Sequence, residues 1–275
     1  MKRILAIILA GLMLLSLVAC EASEEENVEK YGVLEIGSAK ITHTAEHKAQ
    51  MDKDFSISDD SMVERVNYDN LSTALMDLES GKIRTLGLEE CIANYVVARN
   101  EKIVVTKNNR ITDFSMMTLD TNTEVYNILN NVILEIKADG TLDALIENEL
   151  NAYIESDPAA KDLPKFDGAK TIKIGVTGDL PPMDFVAANG KAAGFNIALL
   201  TEIANRAQVN IELVQIETGS RPIVLSSGKV DAVFWTKSGK CTECNATVTE
   251  DIQGTLVTES YFSSSACHVM LKSDK

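Results

Sequence analysis

The sequence is poor in the residues from which metal, haem and nucleic-acid sites are usually built. Only 3 histidines and 1 tryptophan occur among 275 residues, too few for a histidine-rich metal site or a haem pocket. Positive charge is short too: Lys+Arg number 26 against Asp+Glu 41, a formal net charge of −15. Phosphate binding needs basic stripes and none is visible, so nucleic acid is excluded as a partner. Charge-driven docking on anionic lipid is excluded for the same reason. Gly175, Gly178 and Gly190 are too scattered to cradle a phosphate, and no Ser-His-Asp or Cys-His set has supporting context. What remains is an ordinary globular composition, with 45% hydrophobic and 24% charged residues. The length suits one large domain or two lobes.

Residues 1–19 read as a signal peptide. Lys2 and Arg3 precede an apolar run of about 16 residues, Ile4 to Ala19, too short for a comfortable span and right for a signal core. The run ends Leu17-Val18-Ala19-Cys20, which resembles a bacterial lipobox and implies cleavage before Cys20 and lipidation of its thiol. An uncleaved anchor helix is the alternative. Residues 20–30, acidic from Glu21 to Glu26, form a lipidated tether. The mature chain is therefore expected outside the cytoplasmic membrane, held by acyl chains.

Four cysteines follow: Cys91, Cys241, Cys244 and Cys267. Cys241-Thr-Glu-Cys244 has no second pair to make a zinc ribbon, and its polar surroundings do not open a helix after a strand. In an oxidising compartment a local disulfide is the leading expectation, with free thiols or metal and redox chemistry as alternatives.

Strand and helix signals alternate along the chain. Val33–Ile36 reads as a strand; Asp69 or Asn70 caps a helix bearing Leu71, Ala74, Leu75 and Leu78, stopped by Gly81. Ile83–Leu88 is a strand and Glu89–Arg99 a helix. Ile103–Thr106 and Phe114–Leu119 read as two strands. Thr121 and Glu124 have capping-box spacing before a 3.6-period helix carrying Val125, Leu129, Val132, Ile133 and Ile136. Gly140 ends that helix, and Leu142–Ile154 forms another. Residues 155–170, charged and aperiodic, read as a linker.

A second pattern begins at Thr171. Thr171–Val176, Ile211–Ile216, Val230–Trp235 and Ala266–Leu271 read as strands. Asn196 and Ser220 are candidate caps of two helices, and Asn189-Gly190 makes a tight turn. One element occurs twice: Leu78-Glu79-Ser80-Gly81-Lys82-Ile83 and Leu225-Ser226-Ser227-Gly228-Lys229-Val230 each end a helix and launch a strand. The alternation implies two α/β lobes with largely parallel sheets, whose ligands sit at strand carboxyl ends in a shared cleft.

Residues 171–272 resemble the first lobe of bacterial extracellular solute-binding proteins, family 3, the amino-acid type. The resemblance rests on Ile172 to Val176, Pro181-Pro182-Met183-Asp184-Phe185, Asn189-Gly190-Lys191, Ala193-Gly194-Phe195-Asn196, Ser227 to Ala232 and Glu259-Ser260-Tyr261-Phe262, in the family's order. Tyr31 to Thr106 resembles the second lobe through Val33 to Ser38 and Ser80 to Glu89. Thr123 to Leu145 resembles the helix pair that closes the domain. The resemblance implies a two-lobed, type II periplasmic-binding-protein-like α/β fold. Family members run first lobe, second lobe, closing helices. Here a second-lobe-like region (31–106) comes first, then a closing strand and helices (107–154) that pack on the first lobe, the linker, and a first-lobe-like region (171–275). The arrangement reads as a circular permutation; a fragment of a tandem array is the rival. Permutation expects the segments near Tyr31 and Lys275 to lie close together.

The resemblance also implies a function and a site: capture of a small polar solute, an amino acid or a related molecule, for an ABC permease, by a monomer that needs no cofactor. The family's ammonium-binding acid falls on Glu89, and a buried carboxylate there suits a cationic group. Ser38 is placed to offer a hydroxyl and backbone N–H groups to a carboxylate. Leu180 stands where the family has an aromatic platform, and no arginine follows Thr236-Lys237-Ser238, so Lys237 or Lys240 would supply only a point charge. Trp235 at a strand end would stack on a ligand, and Asp179 would line the cleft. The residues expected to bind ligand are Ser38, Glu89, Asp179, Trp235, Thr236 and Lys237. Two rivals stand beside this reading. One is a non-transport sensing or scaffolding lipoprotein of the same fold. The other is a zinc metallopeptidase through His43-Thr44-Ala45-Glu46-His47, whose H-x-x-E-H spacing puts both imidazoles on one helical face.

Overall fold

A computed structural model describes residues 29–34, 63–154, 156–157, 159–238 and 252–272. Ser38, the His43–His47 motif, Cys20, Cys241 and Cys244 lie outside them. Among the described residues, eight strands follow one another across a single sheet: β2 (Val63–Tyr68), β1 (Glu29–Leu34), β3 (Thr85–Glu89), β12 (Phe262–Leu271), β4 (Ile103–Leu119), β10 (Ala232–Ser238), β5 (Thr171–Val176) and β9 (Asn210–Gln215). A ninth, β11 (Thr255–Val257), pairs with the end of β4. Three short strands, β6 (Asp179–Leu180), β7 (Asp184–Val186) and β8 (Ala192–Ala193), form a separate ribbon.

The order contains its own symmetry. In the first half, β1 lies between β2 and β3, and then comes β12, an intruder from the far end of the chain, followed by β4. In the second half, β5 lies between β9 and β10, and then comes β4, the intruder from the first half, followed by β11. Each half therefore shows the order second, first, third, intruder, fourth. β4 and β12 are the two long strands shared by both halves, paired antiparallel from Phe114–Phe262 to Ile103–Leu271. β4 is one strand of 17 residues where the sequence suggested two. Its middle, Lys107-Asn108-Asn109-Arg110, is polar in sequence and interrupts the apolar pattern.

Among the described residues six helices complete the layers: α1 (Leu71–Glu79), α2 (Glu90–Arg99), α3 (Thr123–Ala138), α4 (Thr141–Glu149), α5 (Phe195–Ala207) and α6 (Arg221–Ser226). α1 starts at Asn70, whose side-chain oxygen accepts from the Thr73 N–H and satisfies one of the free donors of the first turn. α1 and α6 end identically. Lys82 N and Ile83 N both donate to Asp77 O; Lys229 N and Val230 N both donate to Val224 O. Gly81 and Gly228 hold φ of +75° and +71°, the left-handed turn that glycine adopts at least cost. The repeated Ser-Gly-Lys motif is thus one helix stop used twice.

α3 buries Val125, Leu129, Val132, Ile133 and Ile136, its 3.6-period stripe, and packs with α4 against α5. Arg206 of α5 fastens that contact, bonding Asp139 at 2.7 Å and the Thr141 hydroxyl at 2.9 Å. α4 is shorter than the sequence suggested, ending at Glu149 with a 3-10 turn at Asn151–Tyr153 beyond it. α5 begins at Phe195, and Asn196 is not its cap. Gly194 takes that place with φ of +108°, and its missing Cβ would lie 2.3 Å from the Met183 carbonyl oxygen. Ser220 precedes α6 but makes no side-chain cap bond; its hydroxyl donates to Glu217 O.

Residues 159–170, read as part of a linker, are tied down despite their composition. Lys161 N donates to Ala192 O, Lys191 bonds both oxygens of Asp162, and the Asn210 amide brackets Phe166 and Ala169. The strand Val63–Tyr68 had no counterpart in the sequence reading. Its charges suit a sheet edge, where they discourage further pairing.

Candidate functional site

β3 pairs antiparallel with β12 and β10 pairs antiparallel with β4, and their carboxyl ends, Glu89 and Ser238, lie beside Ala266 and Asp113 in the middle stretch of the β4–β12 pair. The second half gathers four of the sequence-predicted residues at this end. β5 leads through Thr177 and Gly178 into Asp179, while β10 carries Trp235, Thr236 and Lys237.

A buried carboxylate that had not been singled out joins these loops. Asp184 is 1% exposed, and its Oδ1 accepts from Thr177 N at 3.0 Å, Thr177 Oγ1 at 2.6 Å and Gly178 N at 2.8 Å. Its Oδ2 accepts from Asn196 Nδ2 at 2.8 Å and from Trp235 Nε1 at 3.3 Å. A charge withdrawn from water is tolerated only when donors replace its hydration, and five do so here. One side chain thereby fixes the β5 turn, the start of α5 and the indole of β10. The available signal was an aspartate between apolar Met183 and Phe185 with no basic neighbour, a pattern that could not name its donors.

Trp235 is 1% exposed and packs edge-on against Phe114, with ring centroids 5.1 Å apart and planes at 82°. Its φ of +67° is unusual for a bulky residue and coincides with a register shift between Val233 and Thr236. Its backbone N–H reaches the Tyr261 hydroxyl at 3.3 Å. The indole is thus a core group whose polar edge holds Asp184, and it presents no open face for stacking. Burial pushes the Tyr261 phenol well above its ordinary pKa, so it stays neutral. Thr236 is fully buried, and its hydroxyl has no hydrogen-bond partner among the described residues.

Asp179 is half-buried and meets the other half directly, accepting a hydrogen bond from Asn70 Nδ2. Burial raises its carboxyl pKa, the Asp184 charge adds to that, and the Thr177 and Asn70 bonds oppose it. Nearby, a Cβ on Gly219 would lie 3.4 Å from Asp69 Oδ1, so this loop and the α1 start approach closely. Asn70 was legible as a cap but not as the bridge between halves, because that needs the fold.

Glu89 belongs to the first half. It is 6% exposed, pairs with Ala266 of β12, and immediately precedes α2 without capping it. The first-half rim thus supplies an acid, and the second supplies a locked loop, a hydroxyl and Lys237. Among the described residues no group of three metal-ligating side chains occurs, and no helix is long and apolar enough to cross a membrane.

Fold and site together define an α/β protein of two like-ordered halves whose strand ends face a shared crossing. Its residues 172–239, from β5 through β10, match the family of bacterial extracellular solute-binding proteins, family 3. No curated protein matches the chain. Among solved structures, the ligand-binding component of an ABC-type import system from Staphylococcus aureus, with zinc bound, is 12% identical with a TM-score of 0.43, over 87% of this chain and 65% of its own. The GluR0 ligand-binding core in complex with L-glutamate is 11% identical at a TM-score of 0.42, covering 90% and 86%. The periplasmic aliphatic sulphonate binding protein SsuA from Escherichia coli is 9% identical at 0.41, covering 89% and 61%. This chain spans less than two thirds of the length of the Staphylococcus and Escherichia proteins.

Proposed function

We propose that the protein is an extracytoplasmic solute-binding protein, anchored by lipid at Cys20, that captures a small polar solute such as an amino acid and delivers it to an ABC permease. The observation that carries this reading is the family match over residues 172–239, set in a fold whose other half repeats the same strand order. Ligand would lie between the halves, with Glu89 facing a cationic group and Thr236 and Lys237 facing an acceptor-bearing one. The buried Thr236 hydroxyl supports this, since a group so placed gains most from a ligand that satisfies it. Closure would be a hinge motion of the β4–β12 pair, with Asn70 and Asp179 meeting as the mouth shuts.

The circular permutation belongs to the same proposal. Tyr31 pairs with Thr85, and Thr85 pairs with Met270, so the start of β1 and the end of β12 share one row across β3. Two strand spacings amount to about 10 Å, a gap that a short connection would close. Calorimetric titration with a panel of amino acids tests the function. One member should bind, and Glu89→Gln should weaken it by about tenfold or more. Silence across the panel would leave the rival of a sensing or scaffolding lipoprotein, which the buried indole and the absent arginine favour.

A further inference from the structure

Away from the β4–β12 pair, the halves also touch where the start of α1 meets the second half. Asn70 divides its amide between two tasks. Its Oδ1 accepts from Thr73 N at 2.9 Å and Thr73 Oγ1 at 3.2 Å inside α1, while its Nδ2 donates to Asp179 Oδ2, 109 positions away. With the oxygen committed to the cap, the amide nitrogen is held toward the other half. A cap needs only an acceptor, and aspartate or serine would serve as well. The donor that distinguishes asparagine from these is directed at Asp179.

The contact sits well out from the crossing strands. Asn70 follows β2, three strand places from β12, and Asp179 follows β5, two places from β4. At about 4.8 Å per place the lever arm is roughly 10–15 Å, so a hinge rotation of about 10° parts the pair by about 2 Å and breaks the bond. Asp179 is half-buried beside the Asp184 charge, and the Asn70 bond opposes the burial that disfavours its ionised form. A second approach lies nearby: a Cβ on Gly219 would stand 3.4 Å from Asp69 Oδ1. We propose that Asn70 and Asp179 form a latch that holds the two halves together without a ligand. Closure is then not left to ligand contacts alone, and the apparent affinity of the cleft depends on how firmly the latch holds. The proposal rests on the hinged-clamp reading above, but not on which solute the clamp takes.

Small-angle scattering of the full chain without ligand tests it, so a silent amino-acid panel and a failed latch are separate results. Asn70→Asp keeps the cap but sets a carboxylate against Asp179. Its radius of gyration should rise by about 1 Å, with the melting temperature within about 4 °C of the parent's. Asp179→Asn alone keeps an acceptor for Asn70 and should scatter like the parent. Asn70→Asp combined with Asp179→Asn exchanges donor and acceptor, and should return the radius to the parent's value. Gly219→Glu places a second carboxylate against Asp69 without touching the cap, at a φ outside the left-handed region. It should open the halves too, and it decides the matter should Asn70→Asp fail to fold. A residue that merely caps α1 predicts that Asn70→Asp scatters like the parent. That result, a double variant that stays expanded, or a Gly219→Glu variant as compact as the parent overturns the latch.

Discussion

The two halves share a strand order and an identical helix stop, yet they finish their strand ends differently. In the first half, β3 runs straight into α2 through Glu89, a buried acid that does not cap the helix. In the second, β10 passes through a register shift and a left-handed Trp235 before Thr236, and its neighbours are bound to Asp184 by five hydrogen bonds. The same scaffold therefore carries a single acid on one rim and a pre-organised wall on the other. One rim is thus held rigid by its own polar network while the other carries a buried acid.

The largest break in that contrast should come from Asp184→Ala. It strands donors from Thr177, Gly178, Asn196 and Trp235, and should cost about 3–5 kcal/mol in urea unfolding, as losing one partner of a buried charge network does. Glu89→Ala, which removes a carboxylate that makes no cap bond to α2, should cost clearly less, and equal losses would erase the distinction. Next comes Gly194→Ala, at about 3 kcal/mol, because the new methyl would collide with backbone at a strained φ. Gly190→Ala serves as its control. Its φ of +79° is also positive, but no atom lies within 4 Å, so about 1 kcal/mol is expected.

Asn70→Ala removes both a helix cap and the bond to Asp179. About 1 kcal/mol should be lost, together with a shift towards a more open arrangement readable by small-angle scattering. The smallest effect belongs to Asp179→Asn. The folded carboxyl has its pKa raised, so its ionised form is disfavoured in the folded state at neutral pH. That penalty is relieved as pH falls through the raised value. The variant should therefore melt slightly higher than the parent at pH 7, with the gap narrowing on acidification. A gap that widened would reverse the assigned cause.

Much of the fold was readable from local patterns. The α3 stripe from Val125 to Ile136, the Asn70 cap and the two Ser-Gly-Lys stops depend on residues within a few positions of each other, so spacing reveals them. The strand β4 was read as two because its middle is polar, and the edge strand Val63–Tyr68 was overlooked because charge masks its alternation. Trp235 shows the limit at the site. Its position at a strand end was legible, but whether the ring faces a ligand or the core depends on Phe114 and Asp184, which are distant in sequence and adjacent in space.

What the sequence alone determined was the alternation of strands and helices, the doubled motif that marks two similar halves, and the family likeness of residues 172–239. These are properties of short segments, set by hydrophobic period and turn chemistry. Only the tertiary structure decided that β4 and β12 lie side by side through both halves, that Asp184 holds five donors, and that Asn70 reaches Asp179. Such contacts join residues from 6 to 168 positions apart, and their energies come from burial, which no local window of sequence can register.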